Sequence, residues 1–164
     1  MKCNDLPAQE RLHELFTYSD GKLFWKVCVN NRAPIGSKAG SFNAHNQRWY
    51  VRVDKRRYLE HRLIFMFFHG WVPKEVDHID TNRLNNSIEN LRAASTGENQ
   101  RNKPLQCNNT SGSKNVRYRA GKWQVDIKVN RKKICVGRFD DFEFADLVAA
   151  EARNKYHKEF ACHV

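Results

Sequence analysis

Residues 75–102 read EVDHIDTNRLNNSIENLRAASTGENQRN. Six asparagines and a single histidine fall in this stretch. Asparagine is a poor helix and strand former, because its amide competes with the backbone for hydrogen bonds. It is useful in loops and at element edges, where the same amide imitates a backbone turn. The stretch therefore parses as a short strand (KEVDHI), a loop (DTNRLNNSIE), a second strand (NLRAAS) and a helix (STGENQRNK). Ser95 and Glu98 have the S-x-x-E spacing of a capping box at the helix start. Asn82, Asn85 and Asn86 are accounted for by the loop. Asn99 and Asn102 fall in the helix, and turn chemistry does not explain them.

Working outward, a short helix is expected over 8–16 and a strand over GKLFWKV (21–27). RWYVRV (48–53) and 56–60 form a hairpin around Asp54-Lys55. HRLIFMFFHG (61–70) reads as a buried helix stopped by Gly70, with Pro73 just beyond. Downstream, KPLQCNNTSGSK (103–114) has the composition of a flexible linker. It divides the chain into a first unit, 1–102, and a second, 115–164. In the second, NVRYRAGKWQVDIKVNRKKICVGRF gives three short strands turning at Ala120-Gly121 and Asn130-Arg131. Trp123, Val125, Ile127 and Val129 alternate with Gln124, Asp126 and Lys128, the latter set facing outward. Phe142, Ala145, Ala149, Ala152 and Tyr156 recur at helical spacing behind Asp141, a good N-cap. The expected class is α+β.

The 164-residue chain carries 29 Lys+Arg against 18 Asp+Glu, a net charge of +11. A charge so far from zero points to a polyanionic partner. Ten Lys+Arg and one acid fall in 103–138, a net of +9, whereas 139–164 has three against six, a net of −3. That polarity suits an oriented docking surface. The five cysteines (Cys3, Cys28, Cys107, Cys135, Cys162) include no C-x-x-C pair, so neither structural zinc nor a disulfide framework is expected. No apolar run reaches membrane-span length, since LIFMFFHGWV (63–72) is broken by His69 and Gly70. The first sixteen residues lack a signal-peptide apolar region, so an intracellular location is expected.

A histidine near its ordinary pKa can take a proton from water at neutral pH. A neighbouring carboxylate and amide oxygens are hard ligands, suited to Mg²⁺ or Mn²⁺ and unsuited to zinc. A hard cation beside a general base is equipment for phosphodiester hydrolysis. VDHIDTNRLNNSIENL followed by GEN resembles the HNH motif of phage homing endonucleases, in the variant with asparagine in third position. His78, Asn90 and Asn99 match its signature residues at spacings of 12 and 9, with Asp77 as the preceding acid. RRYLEHRLIFMFFHGWVPKE (56–75) resembles the same family's preamble. The resemblance implies a ββα-metal nuclease unit with its core at 61–103 and a small β-rich preamble. It also implies that Asp77 and Asn99 hold the ion, His78 activates water, and Asn90 braces the loop. Asp77 and His78 are sequence neighbours, which strict alternation sends to opposite faces. Reaching one ion together asks the pleat to give way at the strand end. His13, His45, His69, His157 and His163 read as ordinary surface or hydrogen-bonded residues. His61 reads as either a helix-start contact or a phosphate contact, and Arg83 and Arg92 as phosphate-gripping side chains or solvated ones.

The second unit resembles the APETALA-type (ethylene-response-factor-like) DNA-binding domain through NVRYR, GKWQVDIKV, VGRFD and the Ala-rich helix ending KYHKEF. That family packs a helix behind a three-stranded antiparallel sheet that enters the major groove. The resemblance implies Arg117, Arg119, Gln124, Lys128, Lys133 and Arg138 as DNA contacts. Cys135 stands where plant members carry an outward tryptophan, and Trp123 and the helix aromatics read as core. The implied function is a metal-dependent, homing-type DNA endonuclease using Mg²⁺ or Mn²⁺. Its expected partner is double-stranded DNA, met by a monomer in the cytoplasm of a phage-infected bacterium, with no membrane and no small-molecule cofactor. The alternatives are a DNA-binding regulator with a vestigial nuclease site and an RNA-binding module. The intact motif weighs against the first, and the scarcity of outward aromatics against the second.

Overall fold

A computed structural model describes residues 6–28, 33–129 and 132–162. The chain divides into two compact units, Met1–Thr96 and Gly97–Val164, and the class is α+β. Among the described residues, no helix is long and apolar enough to cross a membrane. Cys3, His163 and the Asn130-Arg131 turn lie outside the described residues.

In the first unit, α1 (Gln9–Leu15) leads directly into the antiparallel pair β1 (Phe16–Ser19) and β2 (Lys22–Trp25). A three-stranded sheet follows in the order β3 (Ser41–Asn43), β4 (Arg48–Val53), β5 (Arg56–Leu59). Asp54 and Lys55 both take positive φ, 46° and 67°, the geometry that matches a two-residue loop to strand twist. The apolar helix α2 (Glu60–His69) ends as its sequence demands. Gly70 adopts the left-handed conformation, and its N–H closes on Met66 O at 2.9 Å. Leu63 and Ile64 of α2 pack with Leu12, Phe16, Leu23 and Val51 in one fully buried core. The hairpin β6 (Glu75–His78) and β7 (Leu91–Ala94) adds Val76 and Leu91 to it. A single 3-10 turn, Ile88–Asn90, leads into β7, and the short helix α3 (Thr96–Arg101) spans the boundary between the units. Two strands were not legible in the sequence. β1 begins where α1 stops with no turn residue between, and β3 is three largely exposed residues without apolar alternation.

The second unit is a sheet in the order β10 (Lys132–Phe139), β9 (Lys122–Val129), β8 (Val116–Arg119), with α4 (Phe142–His157) packed on it. Ala120 and Gly121 turn between β8 and β9 with φ of 50° and 75°. Asp141 caps α4 by accepting from Phe144 N at 2.6 Å. Ala145 and Ala149 present no side chain beyond Cβ, which lets α4 approach Val116 and Val125 closely. Phe142 packs on Trp123, with ring centroids 4.8 Å apart. Not every helix aromatic is core: Phe144 is exposed, its ring edge-on to Phe139 at 5.2 Å. The second half of the 103–114 segment is tied down within this unit. Asn109 Oδ1 accepts from Ser111 N and Gly112 N, Ser113 bonds Asp146, and Arg153 donates to Lys114 O at 2.7 Å.

Gly21, in the β1–β2 turn, has φ +73°, and a Cβ there would stand 2.8 Å from Ser87 N and 3.0 Å from Asn86 C. The turn thus abuts the loop between β6 and β7 backbone to backbone. Gly21→Ala is expected to lower stability by about 2 kcal/mol or more, from left-handed strain plus overpacking. Urea unfolding of the full chain checks this, and an unchanged midpoint would contradict it.

Candidate functional site

The loop between β6 and β7 is held by side-chain amides that replace missing backbone partners. Asn90 Oδ1 accepts from Asp80 N at 3.0 Å, while its Nδ2 donates to Asp80 Oδ1 at 2.9 Å and Asn85 O at 2.8 Å. Asn90 O accepts from Ile79 N at 2.9 Å, just beyond the last ladder pair, His78–Leu91. Asp80 and Asn82 close smaller turns over Asn82 N and Leu84 N. The asparagines thus form one clamp that fixes where His78 stands at the strand end.

His78 is buried, 5% exposed. Its Nε2 lies 3.0 Å from Asn86 Oδ1, and Asn86 Nδ2 donates to Glu60 Oε2 at 2.9 Å. Asn86 and Glu60 are themselves only 3% and 1% exposed. Glu60 Oε1 also accepts from Leu23 N at 3.4 Å. The His61 ring lies 5.0 Å from the His78 ring, tilted by 57°. His61 is therefore a buried neighbour of His78 and not an exposed phosphate contact. The sequence reading misses Glu60 and Asn86 and gives His61 only as a helix-start or phosphate contact. Glu60 and His61 stand at the head of an apolar run, and Asn86 looked like one more loop asparagine. Only the fold brings the three to one histidine.

Burial pushes His78 below the ordinary imidazole value, and the Arg48 charge adds to this. The Asn86 contact and the charges of Asp80 and Asp77 push upward without cancelling it. Burial, followed by the charges of His78, Arg48 and Arg62, holds His61 well below the same value. Both rings are neutral at pH 7, the state in which an imidazole can accept a proton. Burial raises Glu60, against the Leu23 N–H, the Lys38 charge and the Asn86 amide, which lower it.

Asp77 is 4% exposed; its Oδ2 accepts from Arg92 Nε at 2.9 Å and lies 2.9 Å from Arg92 Nη2 in the same ion pair. The ladder is regular through His78, so the pleat does not give way before the strand end. Asp77 lies opposite Arg92 across the hairpin, while His78 turns towards α2. Arg92 is accordingly an ion-pair partner of Asp77. Arg83 is exposed on the loop. Asn99 lies on α3, in the unit that begins at Gly97. Among the described residues no group of three or more His, Cys, Asp or Glu could hold a metal ion. The donor set nevertheless fits a hard cation such as Mg²⁺, which takes one or two protein oxygens and completes its shell with water and substrate phosphate. Asp77 carries the kind of carboxylate oxygen that such a cation takes.

The outward face of the second unit's sheet is an ion-pair network. Asp126 Oδ2 meets Arg117 Nη2 at 2.7 Å and Lys133 Nζ at 3.1 Å. Gln124 Nε2 donates to Asp126 Oδ1 at 2.8 Å and approaches Cys135 Sγ at 3.6 Å. Burial would raise Asp126, but Gln124, Lys133 and Arg117 outweigh it and leave its carboxyl below the usual range. Gln124, expected to face outward, is only 6% exposed. Its cross-strand neighbours Arg117 and Arg138 cover it, which β alternation alone does not foresee. Arg119, Lys128 and Arg138 are exposed.

The HNH endonuclease family profile matches residues 58–101. Protein 3.8 of Escherichia phage T7 is 33% identical over 100 residues, which cover 56% of this chain and 78% of that protein. No solved structure matches the chain.

His61 and His78, like His157 in the second unit, are depressed by burial and make the fold acid-sensitive. Unfolded histidine binds a proton near 6.5, whereas folded His61 and His78 resist it, so the stability present above 6.5 is lost as pH falls towards their folded values. Glu60 has the opposite sign: its contribution is complete below 4.5 and is lost as pH rises through its raised value. Thermal melts of the full chain between pH 7.5 and 5.5 should show a falling Tm, and His61→Gln should flatten that slope.

Proposed function

We propose that this chain, which belongs to the family of phage T7 Protein 3.8 and carries an HNH endonuclease domain over residues 58–101, is a metal-dependent, homing-type DNA endonuclease. The observation that carries this reading is the neutral, buried His78 at the end of β6, with its ring oriented by Asn86 and its loop clamped by Asn90. In this reading β6, β7 and α3 form a ββα-metal unit, with Asp77 and Asn99 holding Mg²⁺ or Mn²⁺. Such a cation neutralises charge that develops on the phosphate and the leaving 3′ oxygen. His78 removes a proton from water for in-line attack on phosphorus. The products carry 5′-phosphate and 3′-hydroxyl ends. Arg92 holds the Asp77 carboxylate in place, and Asn90 keeps the His78 backbone in place.

Residues 1–102 form the catalytic part in this proposal, 103–114 the connection, and 115–164 an APETALA-type reader of double-stranded DNA. Support for the reader comes from a three-stranded sheet backed by α4, with a cationic outer face. Arg119, Lys128 and Arg138 contact phosphate or base edges, while Arg117 and Lys133 act from their anchor on Asp126. Gln124 acts by holding Asp126. Arg83 reaches phosphate beside the catalytic loop. The protein works as a monomer in the phage-infected bacterial cytoplasm.

Plasmid nicking with and without Mg²⁺ tests the reading. His78→Ala should retain DNA binding and lose cleavage by roughly two to four orders of magnitude, as when a general base is removed. Activity that persists after exhaustive EDTA treatment, or full activity in His78→Ala, would sink the mechanism. For the reader, Arg138→Ala or Lys128→Ala should weaken binding and flatten the log–log salt dependence by about 0.9 for each lost phosphate contact. An unchanged salt titration in both variants would exclude this face.

A further inference from the structure

We infer that Glu60 and Asn86 are positioning residues that fix the His78 ring as the tautomer with its hydrogen on Nε2 and its lone pair on Nδ1. This rests on the nuclease reading of His78 for its purpose, but on hydrogen-bond geometry alone for the tautomer.

Contact distance alone does not say which ring nitrogen carries the hydrogen, because an imidazole nitrogen can donate or accept. The chain of partners behind Asn86 resolves it. Leu23 N is a backbone amide and can only donate, so Glu60 Oε1 accepts there. Glu60 Oε2 faces the other donor, Asn86 Nδ2, at 2.9 Å. Two donors at the two oxygens are the pattern of an ionised carboxylate. An amide that turns its NH₂ to Glu60 must turn its oxygen the other way. Asn86 Oδ1 accordingly faces His78 Nε2 at 3.0 Å. A carbonyl oxygen only accepts, so Nε2 must donate.

The relay is built to be rigid. All three side chains are at least 95% buried, so water does not compete for their hydrogen bonds. Asn86 is fixed from its backbone: Gly21 abuts Asn86 and Ser87, and Ile88 N donates to Tyr18 Oη at 3.1 Å. The His61 ring stands against the His78 ring. Glu60 opens α2, whose Leu63 and Ile64 belong to the core, so the carboxylate is placed by the main hydrophobic packing of the unit. A buried carboxylate is costly unless hydrogen-bonded, and an apolar side chain would fill this position more favourably if packing were its only purpose. Its two donors are a strand backbone and the amide that orients His78.

Long-range ¹H–¹⁵N correlation spectra of the full-length, ¹⁵N-labelled protein at pH 7.5 read the tautomer directly, with His78→Gln assigning the signal among seven histidines. The expected wild-type result is one neutral form protonated at Nε2. Asn86→Ala should give a mixture of tautomers, and Glu60→Gln should do so partially, because a glutamine amide can present either end to Asn86. Plasmid nicking by Asn86→Ala should lose about 10- to 100-fold in kcat, as for partners that orient a catalytic group, with DNA affinity unchanged. Wild-type His78 protonated at Nδ1 overturns the inference, and that spectrum suffices if a variant misfolds. Retention of the single Nε2–H form in Asn86→Ala overturns it too, and unchanged kcat in a variant with mixed tautomers overturns the positioning role. A wild-type protein that shows the Nε2–H form yet nicks no DNA in Mg²⁺ defeats the nuclease reading and leaves the relay supported.

Discussion

The Asn90 side chain closes the loop between β6 and β7, and the geometry of the first unit's site depends on that closure. Its amide ties Asp80 at both backbone and carboxylate and reaches Asn85 O as well. Without this clamp, the segment from Ile79 to Ile88 would present unpaired backbone groups beside the core, which proteins rarely tolerate. With it, the ladder runs regularly to His78–Leu91, and the next bond, Ile79 N to Asn90 O, locks the strand end. His78 stands at the last position that the ladder controls. The loop's amides, closed on the Asp80 carboxylate, supply the donors and acceptors that hold such a residue.

Around that clamp the first unit buries several polar groups within an otherwise apolar core. Glu60, His61, Asp77, His78, Asn86 and Asn90 are all buried. Each would be costly alone, yet they are arranged in pairs: Glu60 with Asn86, Asn86 with His78, Asp77 with Arg92. Low local dielectric strengthens these contacts and penalises the loss of any one. It also lowers both histidines, so the arrangement that orients His78 keeps it neutral. A structural core of this size needs none of these groups for packing.

The second unit uses charge differently. Asp126 gathers Arg117 and Lys133 onto one carboxylate and is itself steadied by Gln124. The pairs are partly exposed and contribute little to stability. Their consequence is geometric, since two long cationic side chains are held over the sheet and not left to sweep solvent. Among the cations of residues 103–138, Arg117 and Lys133 are held on Asp126, while Arg119, Lys128 and Arg138 are exposed.

The sequence by itself determined the local elements with strong periodic or stop signals. These include the apolar helix ended at Gly70, the Asp54-Lys55 hairpin, the β6–β7 pair, and α4 with its Asp141 cap. It also singled out His78 and Asn90, through the resemblance of their spacing to the HNH motif. Strand and helix periods are local properties of consecutive side chains, which is why they could be read. The tertiary structure alone decided the rest. β1 and β3 form because partners are available, not because their own residues insist on it. Gln124 is covered by arginines from two neighbouring strands, and Arg92 is claimed by Asp77 across the hairpin. Glu60, 18 residues before His78, reaches it through Asn86, eight residues beyond. No periodicity encodes a hydrogen bond between residues so separated. It exists because α2, the β1–β2 turn and the asparagine loop converge on one core.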